Sequence, residues 1–126
     1  MVSKTISLRT ELQMLFKTLT NGVYYEQAPD DAAYPYLVYE LSELFSNDGK
    51  TVFQLEVNLL DYGEDSFAIE TLADDIQTAL NKYYRISGII EFTVYLGLRQ
   101  TIKEEDKKII RRRLLFEIQL HELKGE

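Results

Sequence analysis

From Lys50 to Tyr62 the chain alternates so strictly that one conformation is dictated. Phe53, Leu55, Val57 and Leu59 fall on one side, and Gln54, Glu56 and Asn58 on the other. A period of two residues belongs to an extended strand with one face on a core and one face on solvent or a partner. Immediately before it stands Ser46-Asn47-Asp48-Gly49. Asp-Gly accepts positive φ at both positions and is a strong hairpin signal between alternating runs. Its other arm is Tyr36 to Phe45, in which Leu37, Tyr39 and Leu41 share a face. Tyr34-Pro35-Tyr36 opens that arm, where a proline has no ladder bond to break. A long hairpin needs a partner layer to cover its apolar side, and the rest of the chain supplies candidates.

Two segments have helical periodicity. Leu8, Leu12, Leu15, Phe16 and Leu19 recur on one face of a helix expected from Ser7 to Leu19, with Ser7 as N-cap and Asn21-Gly22 as the stop. Ile69, Leu72, Ala73, Ile76, Ala79, Leu80 and Tyr83 make the stripe of a second helix, expected from Ser66 to Arg85. Asp65, Glu70, Asp74 and Asp75 crowd its N-terminal half, Lys82 and Arg85 close it, and Ser87-Gly88 ends it. Val23 to Gln27 reads as a short strand. A second hairpin follows, with Ile90, Phe92, Val94, Leu96 and Leu98 on one strand face, Leu114, Phe116, Ile118 and Leu120 on the other, and Lys103 to Lys107 as a charged tip. The expected fold is α+β over residues 1–126 as a single domain. It is a mainly antiparallel sheet of two long hairpins plus a short strand, with two amphipathic helices on one face. The expected core is Leu12, Phe16, Phe53, Leu55, Val57, Leu72, Ile76, Leu80, Phe92, Val94, Phe116 and Ile118.

Chemistry is sparse. With no cysteine there is no thiol nucleophile, disulfide or thiolate metal site. His121, the only histidine, falls in phase with Glu117 and Gln119 and away from the apolar face, with no orienting acid to make it a general base. Asp30-Asp31 and Asp74-Asp75 are adjacent, which sends their side chains in different directions. Asp61-Tyr62-Gly63-Glu64-Asp65 lacks the alternating ligands and terminal Glu of a calcium loop. No phosphate-binding glycine motif, nucleophile elbow or zinc-protease motif occurs. The expectation is no enzyme, no cofactor and no metal. Met1-Val2-Ser3-Lys4 lacks the apolar run of a leader, and no uncharged segment is long enough to span a bilayer, so no membrane partner is expected.

Charge is unevenly placed. The formal charge is −7, which argues against nucleic acid as a partner. Residues 26–75 hold thirteen acids against Lys50, whereas residues 99–113 hold seven bases against three acids. The two stretches either neutralise one another within one fold or meet between neighbouring copies. On a strand, Arg111 and Arg113 project to the face of Glu117, and Arg112 to the opposite face. Nine tyrosines, Tyr34 and Tyr36 among them, suit interfaces where a ring is buried and its hydroxyl is satisfied. The candidate contact residues are Tyr34, Tyr36, Asp48, Lys50, Arg99, Lys103, Lys107, Arg111 and Arg113.

With these residues in place, the chain resembles the tail terminator (tail completion, tail-to-head joining) proteins of long-tailed bacteriophages and prophages. The resemblance runs from Val23-Tyr24-Tyr25 through Ala28-Pro29-Asp30-Asp31 to Tyr34-Pro35-Tyr36-Leu37-Val38-Tyr39, and continues in Ile69-Glu70-Thr71-Leu72-Ala73-Asp74-Asp75-Ile76. It implies a structural virion protein that forms a ring, typically hexameric, at the head-proximal end of the tail after assembly in the host cytoplasm. Its implied partners are other copies of itself, the tail-tube protein and the head completion or stopper protein. The alternatives are another head-tail connector component and a small α+β ligand-binding module.

Overall fold

The computed structural model describes residues 3–123; Met1 and Val2, part of the segment weighed as a leader, lie outside them. Helix α1 spans Lys4–Leu19 and buries Leu8, Leu12 and Phe16. It starts earlier than expected because Ser3, not Ser7, is the cap: its Oγ accepts from the Thr5 and Ile6 N–H groups. The chain turns at Gly22, where an added Cβ would sit 3.0 Å from Cβ of Tyr36. Strand β1 (Val23–Tyr25) stops short of Gln27, since Glu26 takes φ 67° as its N–H donates to the Tyr39 carbonyl.

Strands β2 (Tyr36–Asn47) and β3 (Lys50–Tyr62) form the expected hairpin, closed by Asp48 at φ 47° and Gly49 at φ 81°. The Tyr34–Pro35 peptide leading into it is cis. Helix α2 is Phe67–Leu80, with the Asp65 carboxylate accepting the Phe67 N–H. It ends before Arg85, which corrects the expected boundary. Lys82 takes φ 66° and its N–H donates to the Val94 carbonyl, drawing the chain into the sheet. Tyr84–Ser87 is then strand β4, paired with residues 90–93 of β5 (Ile90–Lys103). Ser87-Gly88 is therefore a hairpin turn and not a helix stop, and Lys82 and Arg85 do not close a helix. Tyr83 faces Phe92 at 6.0 Å between ring centroids instead of extending the helical stripe. Strand β6 (Ile109–Glu122) completes the fold, and the charged tip is residues 104–108.

The six strands form one curled sheet in the order β1-β2-β3-β6-β5-β4, parallel only between β1 and β2. Both helices pack on one face, over Leu37 and Tyr39 of β2, the alternating apolar residues of β3 and β6, and Ile90, Phe92 and Val94 of β5. All twelve expected core residues are buried.

Two bulges break the alternation. One lies between Glu43 and Phe45 in β2, and the other between Leu96 and Leu98 in β5. The second corrects the expected face of Leu98. Gly97 takes the extra position, with room for no more than a tight Cβ at 3.3 Å from the Leu115 carbonyl. Leu96 stays on the helix side, whereas Leu98 pairs with Leu115 on the open face and is 45% exposed. The same shift turns Arg99 inward.

Leu55→Ala, at a fully buried site, is expected to lower unfolding free energy by about 2–5 kcal/mol in chemical denaturation. Leu44→Ala, at the exposed bulge, is expected to change it by no more than about 0.5 kcal/mol.

Candidate assembly surfaces

The charged stretches meet within one chain. On the helix face, Arg112 donates through Nε to Glu70 at 2.5 Å, and Arg99 reaches Asp74 at 2.6 Å and Glu70 at 3.5 Å. Both arginines lie on the β5–β6 hairpin and both acids on one face of α2, so these contacts fasten helix to hairpin. The Arg112 guanidinium, bonded to Glu70, holds its carboxyl below the ordinary glutamate range, and Arg99 adds to the shift. Asp74 in turn raises Arg99.

On the open face, Arg111 donates through Nε and Nη2 to Asn58 Oδ1 at 3.0 and 2.8 Å, and through Nη1 to Glu104 at 3.0 Å. Arg113 meets Glu56 at 3.0 Å, and Asn58 Nδ2 donates to the same carboxylate group at 2.8 Å. Arg99, Arg111 and Arg113 are thus engaged inside the subunit, Arg99 with the acids of α2, and Arg111 and Arg113 with Asn58 and Glu56 of β3 across the sheet.

The remaining candidates divide between the two ends of the sheet. Asp48 and Lys50 sit at the β2–β3 turn, with Lys50 opposite His121. Lys103 and Lys107 lie at the other end, where Tyr62 pairs with Ile109. Tyr34 and Tyr36 belong to this second end. Their rings are 5.3 Å apart, Tyr62 stands 5.7 Å from Tyr34, and Tyr24 stands 6.0 Å from Tyr36. Burial, and then the neighbouring phenols Tyr34 and Tyr24, push the Tyr36 hydroxyl above its ordinary value. At the first end, Lys4 Nζ donates to buried Thr51 at 2.9 Å and lies 3.6 Å from Glu43, holding the start of α1 beside the turn.

Sequence reasoning missed an apolar patch on the open face. The bulges expose Leu44, Phe45 and Leu98 by 58%, 55% and 45%, and Leu44 lines a shallow 150 Å³ depression with Gly97 and Leu115. The adjacent pair Leu44-Phe45 and a glycine inside an alternating strand were its available signals. A larger cleft of about 510 Å³ lies between α1 and β1, where the Arg9 guanidinium sits 4.0 Å over the Tyr25 ring. Beneath it Tyr39 donates to Gln13 Oε1 at 2.7 Å, and burial pushes its phenol up to about 12. His121 is exposed, as its phase implied. Among the described residues no group of three or more His, Cys, Asp or Glu is placed to hold a metal ion, and no helix is long and apolar enough to cross a membrane.

No family model matches the sequence, and no curated protein matches it. A solved structure does. A chain of the virion of a native gene transfer agent particle has a TM-score of 0.71 and 12% identity, over 94% of this chain and 95% of that one. The shared property is the fold along nearly the whole length of both chains.

Because the folded pKa of Glu70 is depressed, its contribution to stability is full above the unfolded value near 4.3 and is lost as pH falls below it. The melting temperature of the native chain is expected to drop between about pH 5 and pH 3, and Glu70→Gln to flatten that part of the profile while lowering stability at neutral pH.

Proposed function

We propose that this chain is a structural virion protein that ends tail-tube polymerisation and joins the tail to the head connector as a ring. The observation that carries the reading is the fold likeness, end to end, to a chain of a virion particle. The terminator role rests in addition on the resemblance of the Val23 to Tyr39 segment and of α2 to that family. The hexameric ring and the partners, tail-tube protein on one side and head completion or stopper protein on the other, follow from the same resemblance.

The geometry supports a two-sided adaptor. The Asp48–Lys50 turn and the Lys103–Lys107 tip stand at opposite ends of the sheet, which gives a ring of such subunits two chemically distinct rims. One rim would carry the turn with Lys4 and Glu43, and the other the lysine tip with the tyrosine cluster. Exposed ion pairs contribute only about 0–1 kcal/mol each, so charge sets orientation while Tyr34, Tyr36, Leu44 and Phe45 supply contact area. Arg99, Arg111 and Arg113, engaged within the subunit, act by holding α2 and the strands in register.

The test is deletion of the gene from the particle that encodes it. Tails of irregular or excessive length that fail to acquire heads are expected, with rescue by the native chain. Cryo-electron microscopy of rescued particles is expected to find a ring at the head-proximal tail end. Tails of normal length carrying heads in the deletion strain would overturn the terminator reading.

A further inference from the structure

Strand β1 covers β2 only as far as Tyr39, and β4 covers β5 only as far as Thr93, with Val94 and Leu96 partnered by Tyr83 and Asn81. Beyond those points, residues 40–47 and 97–103 have no strand partner on their outer side among the described residues and run on as open edges on opposite sides of the sheet. Backbone polarity can be followed along each. The Leu37 N–H donates to Gly22 and the Tyr39 carbonyl accepts from Glu26, so alternation turns Leu41 and Glu43 outward next. On β5 the Gly97 bulge shifts the alternation, and Arg99, Thr101 and Lys103 present their N–H and C=O groups to the edge. Such a row is a template for another strand.

Charge selects the partner. Residues 40–47 hold Glu40 and Glu43 and no base, whereas residues 97–103 hold Arg99 and Lys103 and no acid. Glu43 and Arg99 are paired within the subunit, so Glu40 on one edge and Lys103 on the other, which form no ion pair among the described residues, are the charges by which each edge repels its own copy and attracts the other. Direction agrees as well. Three antiparallel steps separate β2 from β5, so the two strands run oppositely, and copies set side by side without inversion bring them together antiparallel. The open half of β2 lies near the Asp48 turn and that of β5 near the Lys107 tip, so neighbours meet with an axial offset. A closed ring of tilted strands requires such a stagger.

We propose that copies join by strand addition, with the open β2 edge of one copy pairing antiparallel with the open β5 edge of the next. The proposal rests on the self-assembling reading above and names its contact.

The chain has no cysteine of its own, so Glu43→Cys and Thr101→Cys report the contact directly. Mixed at high concentration with a short bis-maleimide, the two single variants are expected to give a cross-linked mixed dimer, and neither to link with itself. The double variant is expected to give a ladder of oligomers. Thr101→Pro removes an outward N–H at an edge position and is expected to keep the melting temperature while abolishing the ladder. Glu43→Cys homodimers, absence of any link, or rings in native mass spectrometry without mixed links would overturn edge pairing. Mixed links in a protein whose deletion leaves tail lengths normal would support edge pairing and overturn the terminator reading alone.

Discussion

The ladder between β3 and β6 sets everything around it. Thirteen consecutive residue pairs, from Lys50 with His121 to Tyr62 with Ile109, leave no break in register through the middle of the sheet. A slip of β3 by one residue would send Phe53, Leu55, Val57 and Leu59 to the open face and bury Gln54, Glu56 and Asn58 in their place, and a slip of β6 would do the same to Leu114, Phe116, Ile118 and Leu120. Hydrophobic burial on one side therefore determines the hydrogen-bond register, and register determines which charges meet. Arg113 faces Asn58 and lies diagonal to Glu56, and Arg111 reaches Asn58, because the apolar residues between them are seated under the helices.

Away from that ladder, the outer strands β2 and β5 each carry one bulge, and both bulges lie where the strand outruns its short edge partner. The extra residue reverses which face the following side chains take. In β5 this sends Arg99 under α2 to join Arg112 at Glu70, and lifts Leu98 to the open face. In β2 it leaves Leu44 and Phe45 exposed. One backbone device thus fastens a helix and clears a surface at the same time. The curled centre carries the stability, and among the described residues the outer strand ends are left with unpaired backbone and mixed apolar and charged side chains, the composition from which protein contacts are made.

The distribution of charge has a related logic. Acids of residues 26–75 and bases of residues 99–113 are far apart in sequence but adjacent across β3–β6 and across α2–β5. Part of the opposite charge, at Glu56, Glu70 and Asp74, is consumed there, in half-exposed pairs that fix orientation more than they add stability. Glu40 within β2 and Lys103 and Lys107 at the β5–β6 end are among the charges that form no ion pair among the described residues, as are Asp48 and Lys50 at the opposite end.

Sequence alone determined the α+β class, the two hairpins, the Asp48-Gly49 turn, both helices and every member of the expected core. Each of these is a local rule: a period of two or of three and a half, a residue that tolerates positive φ, a capping side chain. The start of α1 and the end of α2 were displaced because competing caps and tertiary bonds decide them, Ser3 in one case and the Lys82 bond to Val94 in the other. Strand β4 was illegible for the same reason. Tyr83-Tyr84-Arg85-Ile86 fits helix or strand, and only the edge of β5 selects between them. Of the candidate contacts, the sequence located the charged residues but not their partners. Whether Arg99, Arg111 and Arg113 face a neighbouring copy or their own chain depends on strand order and on a bulge, which are set by packing at long range and leave no periodic trace.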